Sequence, residues 1–405
     1  MLAFVLAVAV ASLPTIPGPI AVPAAHAETA RLIVLHTTDL HGALTAYDYL
    51  ADRPAPLGLV RIANLVRAAR AEGPPVLLLD DGDVIQGGAL ETYYWRGDRA
   101  RPEPMMTAMT RLGYDAMAVG NHEFSWGLES LSKARAAAGF PWLAANVVRA
   151  ADGQPAFGAS LVKTLAGVRI GVVGLTTPAV PALEDSVNWA GLRFLSPLEA
   201  GNAEVRRLRE VEHCDVVVVL AHTGFEQDPV TGVARQGDAP DENWGTRLAA
   251  GLQGVDVLIL GHTHTVLVHA VPPGGPLVVQ AGRNGEALGR VDLELTREAA
   301  KDPWHLGLRR GQNTMVTDTV PPDAGLDAFA APYHAAAQAA LSERIGDAAQ
   351  DIGSPRGRFA DGPLWDLVHT AQLEATGADV SLTALFDPAA VIRRGPVTVR
   401  DALRA

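Results

Sequence analysis

The chain contains little of several things that define common protein classes. Cys214 is the only cysteine in 405 residues, so no disulfide can form within the chain. Lys and Arg number 33 against 45 Asp and Glu, which gives a net charge of −12. Nucleic-acid polymers are held by basic surfaces, so this balance argues against such a polymer as the main partner. With 48% hydrophobic and 19% charged residues, the composition is that of a globular protein with a large core, not of a disordered or membrane-embedded one.

The amino terminus has no apolar run long enough to cross a membrane. Residues 1–11 are apolar throughout, and Pro14 is the first of four prolines that break any continuing helix. Ala25-His26-Ala27 fits the small-x-small cleavage pattern of an export signal. We therefore expect residues 1–27 to be a signal peptide, no stable membrane span after its cleavage, and a periplasmic or secreted protein. One departure is that no Lys or Arg precedes Arg31.

The chain does contain five short polar clusters, each close behind an apolar run typical of a buried strand. Open α/β sheets build their active sites at the carboxyl ends of their strands, so we expect the five clusters to meet at one place. The clusters are Thr38-Asp39-Leu40-His41, Asp81-Gly82-Asp83, Gly120-Asn121-His122-Glu123, Ala221-His222-Thr223-Gly224 and Gly261-His262-Thr263-His264.

The candidate metal ligands in these clusters offer only oxygen and imidazole nitrogen. They are Asp39, His41, Asp83, Asn121, His222, His262 and His264. Without a thiolate, the set suits a hard or borderline divalent metal and not a copper-thiolate or iron–sulfur centre. Seven ligands are too many for one tetrahedral ion. They suit two ions about 3.5–4 Å apart that share a bridging carboxylate, the arrangement used for displacement at phosphorus.

The order and content of these motifs resemble the calcineurin-like metallophosphoesterases, and residues 35–42 resemble their 5′-nucleotidase branch. Within that branch, residues 38–41, 47–49, 58–61 and 81–87 resemble the periplasmic 2′,3′-cyclic-nucleotide 2′-phosphodiesterase/3′-nucleotidase group. The resemblance covers residues 31–295 well and residues 361–405 weakly. It implies an α/β fold in which two packed sheets are flanked by helices, an αββα sandwich.

The resemblance also implies a role for each ligand. It assigns one divalent ion to Asp39, His41, Asp83 and His264, and the other to Asp83, Asn121, His222 and His262. Asp83 would be the bridge, and the ions would be Zn, Mn, Co, Fe or Mg. His122, next to Asn121, would face the phosphate and stabilise its charge or protonate the leaving oxygen. Three further residues occupy places where the family approaches substrate, although core packing or turn chemistry explains them equally well. These are Asn146, Arg283 and Asn284.

The motif that contains His122 departs from the 5′-nucleotidase pattern. That pattern ends in an Asp that pairs with the catalytic histidine, whereas this chain has Ser125. Because serine cannot supply the negative charge that raises a histidine's pKa, the protonation state of His122 stays open at this point. The cyclic-phosphodiesterase group also tends to lack this Asp, so Ser125 favours the cyclic-nucleotide interpretation.

Alternating strand-like and helical runs, followed by an Ala-rich stretch, divide the chain into two units. We expect a metallophosphoesterase domain at residues 28–320, a linker helix at 321–351 and the start of a truncated C-terminal substrate domain at 352–405. Where a 5′-nucleotidase would carry Asn-Gly-Gly-Gly-Ile-Arg, residues 385–393 read Leu-Phe-Asp-Pro-Ala-Ala-Val-Ile-Arg. This mismatch again favours the cyclic-phosphodiesterase group.

These observations predict a two-metal phosphoesterase of small-molecule nucleotides that opens 2′,3′-cyclic nucleotides and then removes the 3′-phosphate. Within the same superfamily, the alternatives are a 5′-nucleotidase or UDP-sugar hydrolase, or a thiosulfohydrolase. From a different class, the alternative is an inactive fragment that binds metal or nucleotide. The sequence leaves the metal, the base specificity and the oligomeric state open.

Overall fold

The computed structural model describes residues 27–97, 99–229, 231–270, 274–356, 360–383, 387 and 389–404. The predicted export signal lies outside these residues, except for Ala27. Positions 385, 386 and 388 of the C-terminal motif also lie outside them.

The described residues form two large sheets, several two-stranded pairs and the helices that cover them. The strands are β1 (Glu28–Thr37), β2 (Tyr47–Asp48), β3 (Arg53–Pro54), β4 (Val76–Asp80), β5 (Ala116–Ala118), β6 (Trp142–Leu143), β7 (Val147–Arg149), β8 (Ser160–Leu165), β9 (Val168–Thr176), β10 (Leu192–Phe194), β11 (Val216–His222), β12 (Val257–Leu260), β13 (Val266–Ala270), β14 (Leu277–Ala281), β15 (Ala287–Arg297), β16 (His305–Met315), β17 (Arg344–Ala348), β18 (Ile352–Gly353), β19 (Val391–Ile392) and β20 (Gly395–Thr398). The helices are α1 (Leu59–Ala71), α2 (Ala89–Arg96), α3 (Pro104–Leu112), α4 (Gly127–Ala137), α5 (Val180–Leu183), α6 (Pro197–Glu210), α7 (Gly245–Gly251), α8 (Ala324–Leu341), α9 (Pro363–Thr376) and α10 (Val399–Arg404), with a short 3-10 helix at Ser186–Trp189.

Each large sheet has six strands and a parallel centre. The first runs β16-β15-β1-β4-β5-β6, with β1, β4, β5 and β6 parallel. The second runs β13-β14-β12-β11-β9-β8, with β14, β12, β11 and β9 parallel. All five strands predicted ahead of the polar clusters belong to these parallel centres, so their carboxyl ends reach the same edge of each sheet.

The alternation of side chains along the strands builds the sandwich. In β1, Leu32 and Val34 pack against the second sheet, whereas Ile33 and Leu35 pack against the helices outside the first. In β11, Val218 faces the first sheet and Val219 faces the helices outside the second. One apolar layer therefore lies between the sheets and one lies under each helical layer, which confirms the predicted αββα sandwich.

The structure also confirms the sequence signals for the start of helix α6. Ser196 caps α6, where its side chain accepts a hydrogen bond from the backbone N–H of Glu199 at 3.3 Å. Pro197 occupies the first helical position, where the missing N–H costs nothing. The lone cysteine, Cys214, is free and buried in the apolar layer outside the second sheet.

The linker helix is shorter than the predicted 321–351. Helix α8 ends at Leu341, and Arg344–Ala348 instead forms β17, which pairs with β20. The Ala-rich composition favours a helix. As a strand, however, β17 forms backbone hydrogen bonds with β20, near the end of the described chain, and a continued helix could not form them. The unit after α8 has a small core, made among the described residues by Ala348, Leu364, Ala390 and Ile392.

Candidate metal centre

The seven predicted ligands meet where the five parallel strands end. Asp39 and His41 follow β1, Asp83 follows β4 and Asn121 follows β5, all in the first sheet. His222 is the last residue of β11, and His262 and His264 follow β12, in the second sheet. The structure therefore brings together, at one edge of the sandwich, side chains that are far apart in the sequence.

Six of these side chains form two groups, each suited to one cation. In one group, ligand atoms of Asp39, His41 and His264 all lie within 4.8 Å of one another. In the other, the same holds for Asp83, His222 and His262. Each group combines residues from both sheets. The six side chains fall into the two ligand sets expected from the sequence, except that Asp83, expected in both sets, lies in only one of the observed groups.

The backbone of this site is unusual. Five of the seven predicted ligands have a positive φ, a conformation that residues other than glycine seldom adopt and that clusters at functional sites. The angles are 51° for Asp39, 46° for His41, 58° for Asp83, 65° for His262 and 55° for His264. The surrounding structure holds these loops in a costly conformation that aims their side chains inward.

The histidine hydrogen bonds fit a cation between the side chains. Nδ1 of His41 lies 2.7 Å from the carbonyl oxygen of Gln86, so Nδ1 carries the hydrogen and neutral Nε2 keeps its lone pair. That Nε2 lies 3.0 Å from Nε2 of His264. In the same way, Nδ1 of His222 donates to the carbonyl oxygen of Asp81 at 2.5 Å. Its Nε2 then lies 3.0 Å from Oδ2 of Asp83 without the alignment of a hydrogen bond.

Two further atoms fit the same interpretation. The side-chain oxygen of Asn121 is buried and has no hydrogen-bond partner among the described residues. His262 contacts Oε1 of Glu242 through Nε2 at 2.8 Å, which leaves Nδ1 for the centre. Carboxylates that orient a ligand histidine in this way are common around metals. The residues present therefore fit a pair of divalent cations with oxygen and nitrogen ligands.

Glu123 organises the loops that carry the ligands, a role that the sequence analysis did not assign. Its fully buried carboxylate accepts backbone hydrogen bonds from Asp83, Val84 and Gly120 at 2.7 to 2.8 Å. Asp83 is held from the other side, because its Oδ1 accepts the backbone N–H of His122 at 2.8 Å. Burial alone would raise the pKa of Asp83, but the neighbouring His222, His122 and His41 outweigh it and hold this pKa well below its usual range.

His122 lies beside the centre and has an acidic partner that the motif does not reveal. Its ring is 5.5 Å from the ring of His41, centroid to centroid. Nδ1 lies 3.0 Å from Oγ of Ser125, and that hydroxyl donates to Oε1 of Glu184 at 2.7 Å. Burial lowers the pKa of His122, but the charges of Asp83 and Glu184 outweigh it and raise the pKa to about 9. The negative charge absent from position 125 is thus supplied by a residue far along the chain.

The three predicted substrate residues have different surroundings. Asn146 is fully buried, and its side-chain amide forms hydrogen bonds only with backbone groups among the described residues. The amide oxygen accepts from the N–H of Thr176 at 2.9 Å, and the amide nitrogen donates to the carbonyls of Thr176 and Leu195 at 2.8 and 3.1 Å. This favours the packing alternative for Asn146. Arg283 is exposed, with Nη1 3.4 Å from Nδ1 of His264. Asn284 forms a turn in which its backbone N–H donates to the carbonyl oxygen of Asp39 at 2.8 Å.

A cavity of about 800 Å³ opens beside the centre. Its lining includes His41, Arg283 and Asn284 on the side of the centre and Tyr93 on α2. On the far side it includes residues of α8 and α10, among them Leu341 and Leu403. The cavity therefore joins the candidate metal centre to the unit that follows the sandwich.

Residues 32–266 match the calcineurin-like phosphoesterase family, and the chain belongs to that family. This confirms the family named from the motifs and its class, metal-dependent phosphoric ester hydrolases. Among the described residues, none of the helices combines the length and apolar character that crossing a membrane requires.

Individual relatives narrow the comparison. The chain is 30% identical over 380 residues to a 2′,3′-cyclic-nucleotide 2′-phosphodiesterase/3′-nucleotidase of Yersinia enterocolitica, covering 86% of this chain and 56% of that protein. It is 28% identical over 409 residues to a 5′-nucleotidase of Vibrio vulnificus, covering 93% and 71%. The crystal structure of the calcineurin-like phosphoesterase YfkN from Bacillus subtilis superposes with a TM-score of 0.68 and 27% identity, covering 77% of this chain and 99% of that one. The chain thus spans little more than half the length of the Yersinia protein.

Proposed function

We propose that the chain is a two-metal phosphoesterase that hydrolyses nucleotides, with 2′,3′-cyclic nucleotides opened first and the 3′-phosphate removed next. The observation that carries the proposal is the pair of three-residue groups at the sandwich edge, in which imidazole nitrogens and carboxylate oxygens converge from both sheets. Such a pair of sites suits phosphoryl chemistry more directly than a structural zinc ion, because structural zinc sites are closed and mostly contain cysteine.

In this proposal, Asp39, His41, Asp83 and His264 hold one divalent ion, and Asp83, Asn121, His222 and His262 hold the other. When bound, such ions activate water and neutralise the charge of the transferred phosphoryl group. The chain's own residues do the rest. Glu123 fixes the loops of Asp83 and Asn121, Glu242 orients His262, and His122 faces the phosphoryl group as its electrostatic partner.

The nature of the nucleotide is supported by two kinds of observation. The motifs of the sequence and the 30% identity to the Yersinia protein support the cyclic substrate. Glu184 supports a second candidate, a 5′-nucleotidase, because it gives His122 the acidic partner that position 125 lacks. The absence of Asp at position 125 is therefore weaker support for the cyclic substrate than the sequence alone indicated.

A substrate panel on the metal-loaded protein tests this proposal. We expect turnover of bis-p-nitrophenyl phosphate and a larger kcat/KM for 2′,3′-cyclic AMP than for 5′-AMP. His122→Ala should lower kcat about 10²–10⁴-fold, the usual contribution of a positioned acid or base. Comparable kcat/KM for 5′-AMP would select the 5′-nucleotidase candidate. Absence of turnover on every ester, with metals bound, would refute the proposed phosphoesterase activity and leave the thiosulfohydrolase and the binding protein as the candidates.

We also propose that residues 28–320 form the catalytic domain and that the protein is exported to the periplasm or secreted. The apolar start and the Ala25-His26-Ala27 pattern support export. Amino-terminal sequencing of the protein recovered from its native host would test it, with Glu28 expected as the first residue. A mature protein that retains Met1 would contradict export by cleavage.

A further inference from the structure

The side chain of Glu184 lies next to His122, beside the candidate metal centre. Glu184 directly follows α5, and its side chain is only 8% exposed. Its Oε1 accepts the hydroxyl of Ser125 at 2.7 Å and lies 3.4 Å from Nδ1 of His122. The three side chains form a continuous chain of polar contacts from a nearly buried carboxylate to the imidazole beside the candidate metal centre.

The direction of each hydrogen bond in this chain is determined by the carboxylate. An ionised carboxylate only accepts, so the single hydrogen of the Ser125 hydroxyl is committed to Glu184. The hydroxyl oxygen can then only accept from the imidazole, and Nδ1 of His122 must carry the hydrogen in the 3.0 Å contact. Among the described residues, no hydrogen bond involves Nε2 of His122, so this atom is the one left for a bound phosphoryl group.

The segment around Glu184 is fixed to the loop of His122 by further contacts. The side-chain amide of Asn188 donates to the carbonyl oxygen of Ser125 at 3.2 Å. The indole N–H of Trp189 donates to the carbonyl oxygen of Glu184 at 3.3 Å. The carboxylate is therefore held in position by the 3-10 helix that follows it, and its contact with Ser125 is not the chance pose of an exposed side chain.

We propose that Glu184, acting through Ser125, is the positioning residue of His122. It fixes the hydrogen on Nδ1 and so directs Nε2 at the phosphoryl group. In the 5′-nucleotidase motif that this chain resembles, an Asp three residues after the histidine has this task. This inference rests on the proposed function for its reaction, but the hydrogen-bond direction itself does not depend on any substrate.

The test compares two neutralising substitutions of neighbouring acids. Glu184→Gln keeps the shape of the side chain, but an amide both donates and accepts, so the direction of the Ser125 hydroxyl is no longer forced. Asp185→Asn, at the adjacent exposed position, is the matched control, because asparagine can still accept the backbone N–H of Val187 as Asp185 does. Both are assayed with bis-p-nitrophenyl phosphate, which needs no nucleoside recognition, after metal analysis has established equal metal content.

We expect Glu184→Gln to lower kcat about 10²-fold, within the range of a positioned acid or base, with KM unchanged. Asp185→Asn should match the parent protein. Introducing Ser125→Asp into the Glu184→Gln protein should restore at least about tenfold of the lost kcat, because it places a carboxylate directly beside Nδ1. A merely structural role would show no such rescue. Unchanged kcat in Glu184→Gln, or equal loss with and without Ser125→Asp, would overturn the proposal.

A second measurement separates this inference from the proposed function. Imidazole nitrogen NMR of histidine-labelled protein, with His122 assigned through His122→Ala, reports which ring nitrogen carries hydrogen. We expect a protonated Nδ1 in the parent protein, whether or not any phosphate ester is turned over. A parent protein in which His122 has an unprotonated Nδ1 would overturn the role of Glu184 even if the enzyme is active. Inactivity on all esters with a protonated Nδ1 would instead refute the proposed function.

Discussion

Among single residues, Asp83 is the one that we propose as the bridge between the two ligand groups. It is fully buried, belongs to one group directly, and interacts electrostatically with His41 of the other. We expect Asp83→Asn to lose at least one metal ion and nearly all turnover, because an amide cannot supply the bridging charge. Elemental analysis of the purified variant measures this. Asp152→Asn, in an exposed turn, should keep both ions, and an Asp83→Asn protein with two ions and full rate would remove Asp83 from the bridging role.

A second residue, His36 of β1, gives the protein a defined response to acid. It is fully buried, and neither ring nitrogen has a partner among the described residues. Gly289 of β15 faces it so closely that an added Cβ would lie 2.0 Å from its Nε2. Burial lowers the pKa of His36 from 6.5 to about 3. The pKa of His36 is thus lower in the folded state than in the unfolded state. Above pH 6.5 the ring is neutral in both states and costs no stability, and as the pH falls from 6.5 towards 3 the unfolded state is favoured because it can take up the proton.

The expected size of this effect follows from the shift. Between pH 7.5 and 5.5, His36 should cost the folded state about 1.4 kcal/mol, close to the value of one pKa unit. The free energy of unfolding should therefore fall less in His36→Leu than in the parent protein when the pH is lowered from 7.5 to 5.5, by about 1.4 kcal/mol. Urea denaturation at the two pH values measures this. His305→Leu, at an exposed position of β16, should leave the pH dependence of the parent unchanged. Identical pH dependence in His36→Leu and the parent would show that His36 does not titrate in this way.

Among the helices, α8 depends on its first turn. Asp323 is 1% exposed, and its Oδ1 accepts the backbone N–H of Leu326 at 2.8 Å as the helix cap. Its other oxygen pairs with Arg67 of α1, which ties α8 to the sandwich. We expect Asp323→Ala to lower the free energy of unfolding by about 1–2 kcal/mol through the lost cap. Urea midpoints measure this, with Asp318→Ala, whose side chain is 85% exposed, as the control that should change little. Equal midpoints for Asp323→Ala and the parent would contradict the capping role.

The sequence predicted the elements whose signal is local. Asp39, Asp83 and His262 could be found because each follows an apolar strand within a few residues, and strand ends gather at one edge of the fold. Glu184 and Glu242 could not be found, because they reach Ser125 and His262 across 59 and 20 residues with no pattern in between. The end of the linker helix was wrong for a similar reason, since the partner that makes β17 a strand lies near the end of the described chain.

For the molecule as a whole, stability is distributed unevenly. The sandwich has three extended apolar layers, whereas the described residues after α8 bury few hydrophobic side chains and leave Val380 72% and Leu382 89% exposed. Regions with few buried contacts open first, so we expect thermolysin to cut near Val380 and Leu382 before it cuts the sandwich. Val187 in the sandwich is the control, because it is 70% exposed but lies in the 3-10 helix that is hydrogen-bonded to Ser125 and Glu184. Earlier cleavage at Val187 would contradict this order.

Such a cut should affect substrates unequally. The candidate metal centre lies wholly in the sandwich, whereas α10 lines part of the adjacent cavity. We expect the nicked protein, after separation of the released segment, to keep its metals and its rate on bis-p-nitrophenyl phosphate. Its KM for a nucleotide should rise, about tenfold for each 1.4 kcal/mol of lost contact. An unchanged nucleotide KM would show that the released segment takes no part in nucleotide recognition.

Each three-residue group at the sandwich edge takes ligands from both sheets, which has a consequence beyond catalysis. An ion bound there would fasten the two halves of the sandwich to each other, and unfolding would have to release it. Ligands that bind only the folded state raise its stability by about 2.7 kcal/mol at a hundred times their Kd. Chelation would then shorten the lifetime of the protein as well as stop its reaction, and melting curves recorded with and without EDTA would register the difference. The concentration of free metal around the protein would thus determine the lifetime of the folded state as well as the turnover rate.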